Sequence, residues 1–245
     1  MHNETINVWT EFLPALGFAY WITHILEQHP NLSSVDRDVV VGGLIVTGVV
    51  RPVCSGLAHL LHCTTAAGYI GWWSCDYVSI CLAILSTSIV YGRFSFYCNE
   101  ALQIVFYTSA IGLISTTLVA VLALSSPGLR AMSFVLFTVF CAGVPFLFQL
   151  GIKFTEFGPR EGIISDVPNL YLAYWGGSIG CFLLGLFIKS SSLPERVIQR
   201  PWNDLVFTSH QLWHICVNVA FALGNFMAWD VYLTWKASQP ACKVP

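Results

Sequence analysis

The chain has 245 residues, 56% of them hydrophobic and only 10% charged, with 11 Lys and Arg against 13 Asp and Glu. Soluble domains carry about 25% charged residues, so this composition excludes an ordinary water-soluble globule and predicts a polytopic membrane protein. The formal net charge of −2 offers no basic surface, and no nucleic-acid partner is expected.

Taken in chain order, the apolar runs predict an all-α membrane protein: one transmembrane domain over residues 1–245 with seven helical spans. They cover about residues 9–27, 39–62, 76–92, 102–124, 131–150, 168–188 and 204–235. Runs of about 20 residues suit a hydrocarbon core about 30 Å thick at about 1.5 Å rise per residue. They lack the alternation of barrel strands, which leaves helices as the form that satisfies the backbone in lipid. No basic segment or cleavage site precedes the first span, so it is expected to serve for insertion and not to be removed. Ser125-Ser126-Pro127-Gly128 is a turn signal after the fourth span. The longest polar connection, residues 151–167, follows the fifth, and Pro194 and Pro201 lie between the sixth and seventh. The nine cysteines form no CxxC; Cys81, Cys141, Cys181 and Cys216 lie within apolar runs and read as small buried hydrophobes.

Charge does not settle orientation. Arg130, Lys189, Arg196 and Arg200 fall on the side of the N-terminus, against Arg37, Arg93, Lys153, Arg160, Lys236 and Lys243 opposite. Asn31-Leu32-Ser33 and Asn3-Glu4-Thr5 are both glycosylation acceptors by pattern and point in opposite senses.

The alternation of spans places certain polar residues in one layer of the bilayer. His59 lies near the exit of span two, Asp76 at the entry of span three, and His210 and His214 near the entry of span seven. His210 and His214 are one helical turn apart, so both imidazoles can reach one ion. Span two also carries a polar stripe, Arg51, Ser55, His59 and His62, on one helical face that must look into the bundle. Ser55, one turn deeper than His59, can hydrogen-bond beside the site. Taken singly, each histidine reads as an interfacial residue and Arg51 as a snorkelling or inter-helix group; His2, His24, His29 and His62 keep that reading. Taken together, His59, His210 and His214 make a three-imidazole set with a free fourth position. That donor set suits Zn²⁺ at a catalytic rather than a structural site.

The chain resembles the progestin and adipoQ receptor family, which includes adiponectin receptors, membrane progestin receptors and relatives of haemolysin III. The resemblance rests on residues 3–10 (NETINVWT), Ser55 with His59, Asp76-Tyr77 followed by Ile80, Pro194-Glu195-Arg196, and Asp204 ahead of Ser209-His210-Gln211-Leu212-Trp213-His214. It implies seven helices, a zinc ion on His59, His210 and His214, Asp76 holding the zinc's water ligand and Ser55 beside it. It also implies a cytosolic N-terminus, which makes Asn31 the accessible glycosylation site. Plasma and internal membranes are not distinguished. Two positions depart from the family pattern: Glu11 stands where relatives usually have histidine and is read as bearing on the entry of span one, not on the metal, and Arg51 is unusual.

Three functions are weighed. The leading one is zinc-dependent hydrolysis of a lipid amide such as ceramide, with Asp76 as general base and acid and Ser55 orienting water or substrate. The second is a receptor for a hormone, a steroid or an extracellular protein ligand, in which zinc is only structural. The third is a metal-free membrane adaptor.

Overall fold

The computed structural model describes residues 4–97, 99–123, 129, 132–145, 147–148, 169–198 and 205–238, and every regular element among them is helical. Helix α1 runs Thr5–Gln28 and carries Pro14 inside it. Leu13, Leu16 and Tyr20 stand exposed at helical spacing along α1, the pattern of a face turned to lipid rather than to water.

Helix α2, Ser34–Leu61, is continuous but irregular: Arg37–Val41 and Val46–Val50 are π-helical, and regular α-helix resumes over Arg51–Leu61. The second widening has a local cause. Pro52 has no N–H to give to the carbonyl four residues back, so the turn before it cannot close in the ordinary way. Two glycines then bring α1 and α2 into close approach. A Cβ on Gly48 would lie 2.7 Å from the Phe18 ring, and one on Gly56 would lie 2.9 Å from the Phe12 ring. Small residues at such crossings are what membrane helices use to pack backbone against side chain.

Helix α3, Ala66–Ser95, starts where Thr65 accepts the Gly68 N–H on Oγ1 at 2.9 Å. Asp76 therefore lies inside a helix, not at its entry. The expected start followed the apolar run, whereas the cap is set by an upstream threonine. Helix α4 is Glu100–Ala123, and α5 is described over Met132–Pro145. The turn at residues 125–128, the connection at 151–167 and Asp204 lie outside the described residues. Helix α6 is Asn169–Ser191, followed by the one-turn helix Leu193–Val197 and by α7, Ser209–Ser238.

Among the described residues four segments are long and apolar enough to cross a membrane: Ser34–Leu61, Ala66–Ser95, Glu100–Ala123 and Ser209–Ala237. Helices α6 and α7 pack along their lengths, α1 packs on α2 and α7, α2 on α3, and α3 on α4. One buried cluster joins α1, α2 and α7 around Ile25, Leu44, Trp229 and Tyr232; another joins α3, α4 and α5 around Cys81, Ala110 and Phe137. The arrangement brings the last turn of α2, the interior of α3 and the first turns of α7 to the end of the molecule where α1 begins.

Candidate metal centre

The start of α7 is fixed by a capping box. The Thr208 hydroxyl accepts the Gln211 N–H at 3.2 Å, and Gln211 Oε1 accepts the Thr208 N–H at 3.2 Å. Gln211 Nε2 also donates to the Leu205 carbonyl at 2.9 Å. From the neighbouring one-turn helix, Glu195 Oε1 accepts the Ser209 N–H at 2.7 Å. This places His210 in the first turn of α7 and His214 one turn on, both facing His59 from the last turn of α2.

The three rings converge. His210 Nε2 lies 3.4 Å from His59 Nε2 and 3.1 Å from His214 Nε2, and the His59 and His214 ring centres are 4.7 Å apart. One ligand atom from each lies within 4.8 Å of the others, and His59 and His214 are buried. His62 is excluded from the group. Its Nδ1–H donates to the Ala58 carbonyl at 2.9 Å, and its ring centre stands 6.3 Å from that of His59.

The far sides of two rings meet carboxylates. His59 Nδ1 lies 2.7 Å from Glu4 Oε2, and His214 Nδ1 lies 2.5 Å from Glu11 Oε1. Glu4, just ahead of α1, is held down to a pKa of about 2, chiefly by the hydrogen bond from His59, so it is a carboxylate. A carboxylate can only accept. Nδ1 must therefore carry the hydrogen in both rings, which leaves the Nε2 lone pairs pointing inward. A cation among the three Nε2 atoms would take up these lone pairs, and ligating histidines with carboxylates behind them are the usual construction of a metal site. The third ring has a different neighbour, since Lys189 Nζ from α6 lies against His210 Nδ1.

Asp76 is 6% exposed, and its Oδ1 has no hydrogen-bond partner among the described residues. The Ser55 hydroxyl is directed at its carboxyl, and the His214 and His59 rings lie close enough to act on its charge. An orphaned carboxyl oxygen beside the inward lone pairs of His59 and His214 is the second sign that these residues fit a bound cation and its water. His59, His210 and His214 are thus brought together, with Asp76 and Ser55 beside them.

Two residues were undervalued by the sequence reading. Glu11, expected to bear only on the entry of the first span, is fully buried and holds a ring of the cluster. Arg51, read as a snorkelling or inter-helix group, is the latter: it is 2% exposed and pairs with Glu11 Oε2 at 3.2 Å. The usable signal was the pair itself: two opposite charges inside apolar runs, each too costly in lipid without the other. Glu4 was read only within a sequence pattern, and its place behind His59 has no counterpart in composition or spacing.

A family described as haemolysin-III related matches residues 1–224. The "Adiponectin receptor protein" of Drosophila melanogaster is 24% identical over 253 residues, covering 100% of this chain and 54% of its own length. "Progestin and adipoQ receptor family member 3" of Homo sapiens is 26% identical over 222 residues, covering 88% of the chain and 69% of the relative. "Membrane progestin receptor gamma" of Mus musculus is 25% identical over 237 residues, with 90% and 67% covered. The chain spans about half the length of the Drosophila protein.

Proposed function

Since the chain belongs to the haemolysin-III-related family, with the progestin and adipoQ receptors among its relatives, we propose that it is a seven-span membrane protein whose three-histidine centre holds zinc and hydrolyses a lipid amide such as ceramide. The observation that carries this reading is the convergence of His59, His210 and His214 with Nε2 inward and carboxylates behind two of the rings. When bound, zinc supplies Lewis acidity, which activates water at neutral pH and polarises a carbonyl. Nitrogen donors with a free fourth position suit that ion.

The protein's own groups supply the rest. Asp76, through its unpartnered Oδ1, takes a proton from the attacking water and returns it to the departing amine. Ser55, aimed at the same carboxyl, holds it in position. An apolar cavity of about 360 Å³ lies between α3, α5, α6 and α7, walled by Ile84, Val139, Phe182 and Phe221, and this reading assigns it to the acyl chain. The test is turnover of ceramide by the purified, zinc-loaded chain in nanodiscs. Asp76→Asn is expected to lower the rate by about 10²–10⁴-fold, the usual worth of a general base, and His210→Ala to abolish it. Equal turnover in parent and variants, or none in the parent, contradicts the proposal.

A second reading is favoured by what the relatives are called, adiponectin and progestin receptors. Here the ion is structural and ligand binding shifts helix packing. Under that reading His210→Ala lowers thermal stability, and no lipid turnover is found with or without metal.

A further inference from the structure

We infer that the buried pair Glu11–Arg51 is a positioning device for the metal centre, in which Glu11 aims the His214 ring and Arg51 fixes Glu11. Stability alone gives a poor reason for the pair. Glu11 is 0% exposed and Arg51 2%, and well-packed apolar residues in place of such a pair often leave a protein as stable or more so. Its geometry does something an apolar pair cannot.

The two oxygens of Glu11 are divided between two tasks. Oε1 takes the His214 Nδ1–H at 2.5 Å, and Oε2 takes Arg51 Nη1 at 3.2 Å. The other guanidinium nitrogen, Nη2, donates to Asn218 Oδ1, one turn beyond His214 on α7. Asn218 Nδ2 in turn donates to the His214 carbonyl at 3.0 Å and to the Thr10 carbonyl at 3.2 Å. The chain of bonds therefore leaves the ring of His214, passes through α1 and α2, and returns to the backbone of the same residue. The Phe221 ring closes it from below, 4.7 Å from the guanidinium carbon. Ring and backbone of one ligand are tied to each other through three helices, and tethering of that kind sets ligand geometry and affinity. Behind His59 the carboxylate is more open: 22% of the Glu4 side chain is exposed, and its Oε2 also accepts from Asn7 Nδ2 at 2.7 Å.

The inference rests on the metal reading, and the experiment separates the two. Cobalt(II) affinity is measured by chelator competition on the full chain in micelles, together with the visible spectrum of the cobalt form and the unfolding temperature of the metal-free form. The Glu11→Met/Arg51→Met variant is expected to keep a cooperative metal-free unfolding transition, to bind cobalt about 10–100-fold more weakly, and to lose the resolved tetrahedral bands. The Glu11→Gln/Arg51→Met variant restores an oxygen to accept the His214 Nδ1–H and is expected to regain most of that affinity. Parental affinity in the Met/Met variant, or no recovery in the Gln/Met variant, overturns the inference. A parent that takes up no cobalt overturns it together with the metal reading.

Discussion

Glu195 shows at the scale of one residue how the site is aimed. Burial opposes its ionisation, but the Ser209 N–H it accepts and the Lys189 charge nearby prevail and hold its pKa below the ordinary 4.5. A carboxylate depressed by folding stabilises fully above its unfolded pKa, and that contribution disappears as pH falls through the folded value. Glu195→Ala is therefore expected to destabilise by about 1 kcal/mol at neutral pH, as the loss of a helix cap does, and to match the parent in acid. Thermal unfolding of both proteins across pH checks this, and a gap constant with pH would show that the carboxylate is not its source. At this scale the three converging histidines were legible, because SxxxH on α2 and HxxxH on α7 put imidazoles one turn from their partners. The choice of His59 over His62 followed from its spacing to Ser55. The carboxylates behind the rings were not legible in the same way: Glu4 and Glu11 meet histidines 55 and 203 residues away in sequence.

Among the elements, α2 is the one whose form departs furthest from its sequence pattern. An apolar run announces a span, but its two π-helical stretches leave no trace in hydropathy, and Pro52 alone marks the second. Helix ends depart from the apolar runs for a related reason. The apolar boundary is not the helix boundary: Thr65 and the Thr208–Gln211 box set the starts of α3 and α7. That box was readable as T-x-x-Q. The packing of α1 on α2 makes its own prediction. In Gly48→Ala the new Cβ meets Phe18 at its own Cβ and the root of its ring, which cannot swing aside. Overpacking of this kind costs about 1–3 kcal/mol, read as a lower unfolding temperature in micelles. Unchanged stability would mean that the two helices are not held in this register.

For the whole molecule, composition was enough to identify a membrane protein and charge was not enough to orient it. Asn31 and Cys63, both exposed, follow α1 and α2 and so lie on opposite faces if both helices cross. With the proposed cytosolic N-terminus, Asn31 is expected to carry a glycan that Asn31→Gln removes. Cys63 should react with an impermeant maleimide only after the cells are permeabilised, Cys63→Ser identifying the band. Labelling of Cys63 in intact cells together with an unglycosylated Asn31 reverses the orientation. The helices matter to function because they carry imidazoles from α2 and α7 to one point, and X-ray absorption at the zinc edge of the purified chain tests that most directly. Three imidazole nitrogens at about 2.0–2.1 Å are expected, with imidazole scattering reduced in His59→Ala. A chain without zinc, or a shell of sulfur at about 2.3 Å, contradicts the account.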